Sequence, residues 1–491
     1  MSKRLRTVPP LLVLLISALV LQGCVGTELM SDVSAPEAGF LSVETETRHA
    51  TGKTSVWVQS REEADALATK VTAMVKGKTI DADTAVQVSL LNNKGLQAAY
   101  ADIGLSAANV WQTSLPLNPK VSLGILGIGA PEVGLFRSIE GLVTSNVLAM
   151  MTREHRVQIA ETEFQAAQLR ALNATLSLAS ETRRAWIEAV GAFETVIWLN
   201  QAQQSADAAS DLADELGRSG AFSKAAQARE HAFFAELTGQ KAEALLTARL
   251  AKEKLARLMG LWGTDLEFFV PDYLPRLPGR ARHTSRIEQE AVSKRVDLQM
   301  AKLALELTAQ RYGLTDATRM VTDLELVAGV EKEIEIEDGE KEKVKTGILE
   351  IEFEIPIFDS GNARLRKAEL QYMQAANLLA EKAVNIRSEA RSAALALNAS
   401  FDIARHYRNA VLPLRAIVRD EALLTYNGMI TNTFELLADI RAATNTVLQE
   451  AQARRNYWLA EANAVAVVYG GSSEASMGPL AAVDGDAQPA H

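Results

Sequence analysis

The sequence predicts a mainly α-helical fold with a small membrane β portion, written twice as a unit of helix, strand hairpin, long helix and helix. Three observations predict it. The 491 residues are 48% hydrophobic but only 5% aromatic, and their 13 prolines cluster, as expected of long Ala/Leu/Glu/Arg helices and not of large aromatic cores. Residues 150–217 contain no proline and would form a helix about 100 Å long, far beyond globular size. Residues 331–337 and 350–355 alternate Glu or Lys with Ile or Phe around the tight-turn pair Asp338-Gly339, the period of two that marks a strand hairpin.

Taken in order, the chain opens on Lys3, Arg4 and Arg6 before an apolar run at 11–21 that is too short to span a bilayer, the layout of a secretory signal peptide over residues 1–23. Leu21-Gln22-Gly23 precedes Cys24, the single cysteine, and is similar to the lipobox of bacterial lipoproteins, in which that cysteine becomes the lipidated (palmitate-bearing) first residue. The other reading is an ordinary signal peptide with a chance cysteine. Residues 24–78 form an N-terminal tether, polar over 25–55. A first repeat, 79–260, contains a helix at 84–113, a strand at 120–125, a weaker strand at 139–149, the long helix, a turn near 217–222 and a helix at 222–259. Residues 261–283, with Pro271, Pro275, Pro278 and Phe268-Phe269, read either as a linker or as a small packed equatorial belt. The second repeat, 284–469, gives a helix at 285–313, the strong hairpin, a second long helix at 360–427 kinked at Pro413, a turn and a helix at 432–469. The Gly/Ser/Ala-rich tail, 470–491, reads as disordered.

The duplication rests on matched segments: Leu96-Gln97 lies over Leu298-Gln299 at an offset of roughly 200 residues, and Phe222, Ala226 and Arg229 lie over Phe434, Ala438 and Arg441 at an offset about ten larger. In each copy the two shorter helices sum to about the length of the long one, which suggests coaxial stacking beside it in a coiled-coil-like bundle.

Several function classes are excluded. A formal charge of −10, with no basic stretch interleaved with aromatics, argues against nucleic acid. One cysteine and six scattered histidines give no metal set and no nucleophile-base pair, so no enzyme, cofactor or metal site is expected. The strands point elsewhere. Their apolar face, with Ile351, Phe353 and Ile355, has no uncommitted helix to pack on, so it is expected to face lipid while the carboxylate face lines a lumen. Four strands cannot close a barrel in hydrocarbon, so several protomers must share one.

The residues that complete the picture are Thr79-Ile80-Asp81-Ala82-Asp83 with Leu90-Leu91-Asn92-Asn93, Leu115-Pro116-Leu117-Asn118-Pro119, Arg295-Val296-Asp297-Leu298, Ile355-Pro356-Ile357-Phe358-Asp359-Ser360-Gly361, and Tyr426-Asn427-Gly428 with Phe434-Glu435-Leu436-Leu437. In this order they resemble the TolC-like outer-membrane factor family. The resemblance implies a homotrimer with a shared twelve-stranded β-barrel and a trimeric α-helical barrel across the periplasm. It also implies an outer-membrane exit duct for tripartite efflux or type I secretion, partnered by a periplasmic adaptor and an inner-membrane transporter. Gly217, Ser219, Gly220, Phe222, Tyr426, Gly428 and Asn432 then fall at adaptor-docking tips. Glu435 matches the first of two acidic positions that follow the second turn. The other falls on Ala438, with Asp439 beside it. Glu435 and Asp439 are thus candidates for a pore constriction, while Asn432 followed by Glu435 also fits a helix N-terminal cap. The remaining alternative is an envelope-spanning structural lipoprotein that conducts nothing.

Overall fold

The structure is a computed structural model that describes residues 27–128, 137–220, 222–337, 340–428 and 433–470. The chain runs through helices α1 (Thr27–Ser34), α2 (Phe40–Thr51), α3 (Arg61–Val75), α4 (Ala82–Asn92) and α5 (Lys94–Ser114), then strands β1 (Lys120–Leu126) and β2 (Ser138–Asn146). It continues as α6 (Val147–Met151), α7 (Arg153–Arg218), α8 (Lys224–Leu258), α9 (Ile287–Lys294) and α10 (Val296–Ala317). Strands β3 (Leu324–Glu337) and β4 (Glu340–Phe353) follow, then α11 (Asn362–His406), α12 (Leu412–Asn427) and α13 (Thr433–Tyr469). The four strands form one antiparallel sheet in the order β1-β2-β3-β4.

The expected long helix is present as α7, 66 unbroken residues or about 100 Å. It begins slightly later than expected, because Asn146 caps α6 by accepting from Ala149 N at 2.7 Å and Thr152 then leaves helical geometry. It ends at Gly220, whose φ of 80° lets the chain turn so that Phe222 N donates to Leu216 O at 3.0 Å. The kink expected at Pro413 takes the form of a π-helical segment, Tyr407–Val411, ahead of α12. Proline donates no N–H and its ring crowds the carbonyl four residues back, at Asn409, so the wider turn removes the conflict.

Two expected single helices are each split in two. The 84–113 helix is split at Asn93, which is extended (ψ 120°); its side chain accepts from Leu96 N at 3.1 Å and donates to Leu258 O at 3.0 Å. The 285–313 helix is split at Arg295, also extended (ψ 121°), whose buried guanidinium pairs with Asp297 at 2.9 Å and with Glu389. The two breaks occupy equivalent positions of the two copies, three residues before Leu96 and Leu298.

Residues 27–75, within the segment expected as the tether, are largely helical. Three helices form there, with Val33, Val43, Val71 and Val75 buried. Between α2 and α3 the chain is a strap held by two glutamines: Gln87 bonds Thr54 N and O at 3.2 and 2.8 Å, and Gln97 bonds Val58 N and Val56 O at 2.9 and 2.8 Å. Ser60 caps α3 by accepting from Glu63 N at 3.2 Å, and Glu63 accepts in return from Gln59 N at 2.9 Å.

The chain divides into two compact units. One comprises the described residues within 27–42, 100–169 and 299–381, and includes the sheet. Its helical core joins Val33, Ala38, Ala107, Val110 and Ala160, with Gly39 (φ 75°) seated against the Phe164 ring. The other comprises the described residues within 43–99, 170–298 and 382–470. Its core gathers Val75, Ile80, Val88, Leu255, Met259 and Phe268. Residues 261–283 pack on this core: Phe268 is fully buried, Phe269 bridges Thr79, and Pro275 O accepts from Trp458 Nε1 at 2.9 Å.

Candidate functional site

Strand register sorts the sheet into two faces. Side chains opposite one another in an antiparallel ladder share a face, and alternate residues change face. Leu326 opposes Ile351, Leu324 opposes Phe353 and Ala328 opposes Leu349; across β2 and β1 the same face carries Val143, Val121, Leu123 and Ile125. The other face carries Lys120, Glu140, Thr144, Glu325, Glu331, Glu333, Glu350 and Glu352. Its charges are partly paired, with Lys120 Nζ 3.4 Å from Glu325 and Arg137 Nε 3.0 Å from Glu333.

The apolar face is exposed: Leu123 is 83%, Leu349 74% and Ile351 64% exposed. On the charged face Lys120, Glu350 and Glu352 are exposed as well, and Val327 among them is buried. Water-facing sheets keep such an apolar face covered. Ile351 and Phe353 lie on this face; Ile355 is equally exposed but lies just past the end of β4. Beyond Val330 opposite Gly347 the same face changes to Lys332 opposite Lys345, followed by Lys343. The sequence reading missed these lysines, because their face becomes visible only once the register is known.

At the ends of the long helices, Gly217 falls in the last turn of α7, where a Cβ would overlap the Gln227 side chain, and Ser219 Oγ donates to Leu216 O at 2.9 Å. Gly220 and Phe222 complete that turn. Tyr426 is half-buried in the last turn of α12, and Gly428 N donates to Leu424 O at 2.9 Å. Nearby, His231 of α8 contacts Ser210 Oγ at 2.7 Å and Asp214 at 3.0 Å on α7, clasping the two helices. Glu230, also buried, pairs with Arg441 of α13 at 2.6 Å, and Arg441 lies over the Phe233 ring at 4.2 Å. Glu435 is exposed in the first turn of α13, with Asp439 half-buried one turn later on the same helix face. Cys24 and Asn432 lie outside the described residues.

A buried charge group, also missed, sits where α7, α13 and the 261–283 segment meet. Glu194 is fully buried and accepts from Leu274 N at 3.1 Å, from Trp198 Nε1 at 3.4 Å and from Arg454. Glu450 is 3.5 Å from Arg454, and burial pushes its carboxyl above the ordinary range against the opposing pull of Arg454. Among the described residues no cluster of His, Cys, Asp and Glu could hold a metal ion, and no helix is long and apolar enough to cross a membrane.

Neither a family model nor a curated protein sequence matches the chain. Solved structures do. The CmeC outer membrane channel of Campylobacter jejuni superposes with a TM-score of 0.63 at 17% identity, over 80% of this chain and 86% of that one. The outer membrane protein VceC of Vibrio cholerae gives 0.64 at 16%, over 79% and 96%. The open state of the MtrE outer membrane channel of Neisseria gonorrhoeae gives 0.55 at 17%, over 79% and 88%. The helix-sheet order, the exposed apolar face of the sheet and these superpositions agree, and the chain has the fold of the TolC-like outer-membrane factors.

Proposed function

We propose that the protein is an outer-membrane channel: a passive exit duct from the periplasm to the exterior, acting with a periplasmic adaptor and an inner-membrane transporter. The observation that carries this reading is the exposed apolar face of the sheet. Its exposed apolar side chains would each gain about 1.5–3 kcal/mol on leaving water, and lipid is the environment that accepts all of them while leaving Glu325, Glu350 and Glu352 hydrated in a lumen. Strands β1 and β4 are the edges of the sheet, and open edges are not sustained in hydrocarbon. Three copies closing a twelve-stranded barrel would pair both edges of each sheet. The turns at 217–222 and 426–433 are the adaptor-docking tips of this reading, Glu435 and Asp439 its candidate constriction, and Cys24 its lipid anchor. A start at Cys24 with added acyl mass in the membrane-extracted protein is the check on the anchor.

The deciding experiment is conductance of the purified full chain in a planar lipid bilayer. Discrete channel openings that scale with trimer content are expected. A protein that inserts as trimers without conducting would instead be a structural bridge between membranes.

A further inference from the structure

From the register of β3 and β4 we infer that Lys332, Lys343 and Lys345 form a ledge that binds the phosphates of anionic lipid headgroups at the rim of the barrel. The inference rests on the membrane reading above. Along the outward face of the hairpin the opposing pairs are Leu324 and Phe353, Leu326 and Ile351, Ala328 and Leu349, Val330 and Gly347; then, without a neutral polar step, Lys332 and Lys345, and Ile334 and Lys343. Apolar exposure continues the other way through Ile355, Ile357 and Phe358. The apolar band of such barrels is about 25 Å tall, and strand β4 from Phe353 to Lys345 covers about 20 Å of it at ordinary strand rise and tilt, with the exposed Ile355, Ile357 and Phe358 beyond its end. The outward face thus changes from apolar to lysine near the edge of the band, within reach of lipid phosphates.

Their placement works against the isolated chain. Lys332 and Lys345 are directly opposite, and like charges opposite one another in a ladder destabilise it. Acidic side chains are available at the same level, since Glu331 and Glu333 belong to adjacent positions of β3, but the period of two puts them on the other face, where Glu333 is paired with Arg137. All three lysines are exposed, and no carboxylate among the described residues forms an ion pair with them. Two ammonium groups about 5 Å apart at their Cβ atoms, with a third on the next outward rung, suit an anionic oxygen cluster supplied from outside the chain. A lipid phosphate arrives at that depth on an acyl chain that covers Val330 and Leu349, so one ligand satisfies both the apolar face and the ledge. Free phosphate would satisfy only the ledge.

The test reconstitutes the full chain in phosphatidylcholine vesicles carrying trace spin-labelled phosphatidic acid or spin-labelled phosphatidylcholine of the same acyl chain, and measures the protein-immobilised fraction of each. The wild type should favour phosphatidic acid about fivefold or more, and K332Q/K343Q/K345Q should reduce this to near unity, whereas K241Q/K254Q on α8 should not. Equal immobilisation of both lipids by inserted, urea-extraction-resistant wild type overturns the ledge and leaves the membrane reading standing. Failure of the wild type to insert overturns both. Loss of the preference in millimolar inorganic phosphate, but not in chloride of equal ionic strength, would mean a free-anion site and overturn the lipid assignment. The wild-type comparison stands even if the triple variant misfolds.

Discussion

Replacing Ile351 and Glu350 separately with lysine sets two neighbours at nearly the same depth against each other on opposite faces of one strand. Ile351 is 64% exposed on the apolar face opposite Leu326, and Glu350 is on the charged face opposite Val327. If the apolar face meets lipid, Ile351→Lys near the middle of the band costs about 2–4 kcal/mol per chain. Three well-separated copies in a trimer would make this about 6–12 kcal/mol, which exceeds the margin of many folded assemblies. Glu350→Lys changes a lumen charge in water and is expected within about 0.5 kcal/mol of wild type. The difference should also decay with depth, so that Val330→Lys, one rung from Lys332, costs only about 0–1 kcal/mol. Urea titration of trimers in lipid vesicles reads all three: the midpoint should collapse for Ile351→Lys and hold for Glu350→Lys and Val330→Lys. Equal losses at 350 and 351, or a larger loss at 350, would refute the assignment of faces and, with it, the lumen.

Glu194→Ala should destabilise by about 1–3 kcal/mol, because it leaves Leu274 N without its acceptor and Arg454 with only Glu450, at 3.5 Å, as a carboxylate partner; thermal unfolding of the variant against wild type measures it, and an unchanged melting temperature would refute it. Glu450 is held above the ordinary carboxylate range by burial, so the folded chain binds the extra proton, and this contribution to stability is greatest at acid pH and is lost as pH rises through the raised value. Glu450→Gln should therefore flatten the decline in melting temperature as pH rises above the ordinary carboxylate range, and an unchanged profile would show that Glu450 does not bind the extra proton. Glu435→Gln with Asp439→Asn should weaken cation selectivity in single-channel recordings of intact trimers; unaltered permeation would assign Glu435 to the start of α13 alone.

The existence and type of the major elements were legible in the sequence because their signals are local and long. A proline-free, Ala-rich stretch has few conformational choices other than α7, and strict alternation of Glu with Ile has few other than the β3-β4 hairpin. The π segment before Pro413 is local in the same sense, since the missing N–H is a property of one residue. What stayed hidden depends on partners far along the chain. Asn93 and Arg295 look like ordinary helix interior until the Leu258 carbonyl and the Glu389 carboxylate are placed beside them. The 27–75 region reads as polar because its apolar residues are sparse, and only the groups brought to them, such as Phe164 beside Gly39 and Tyr100 beside Phe40, make burial worthwhile. Glu194 and Arg454 are separated by most of the second repeat and carry no motif. By itself, then, the sequence determined which segments are helix and which alternate as strand, since backbone sterics and periodicity act within a few residues. Only the tertiary structure decided which residues share a face across the four strands and where the lysines of the hairpin stand, because a shared face is defined by register against another strand, and register is a relation between residues that the chain order keeps apart.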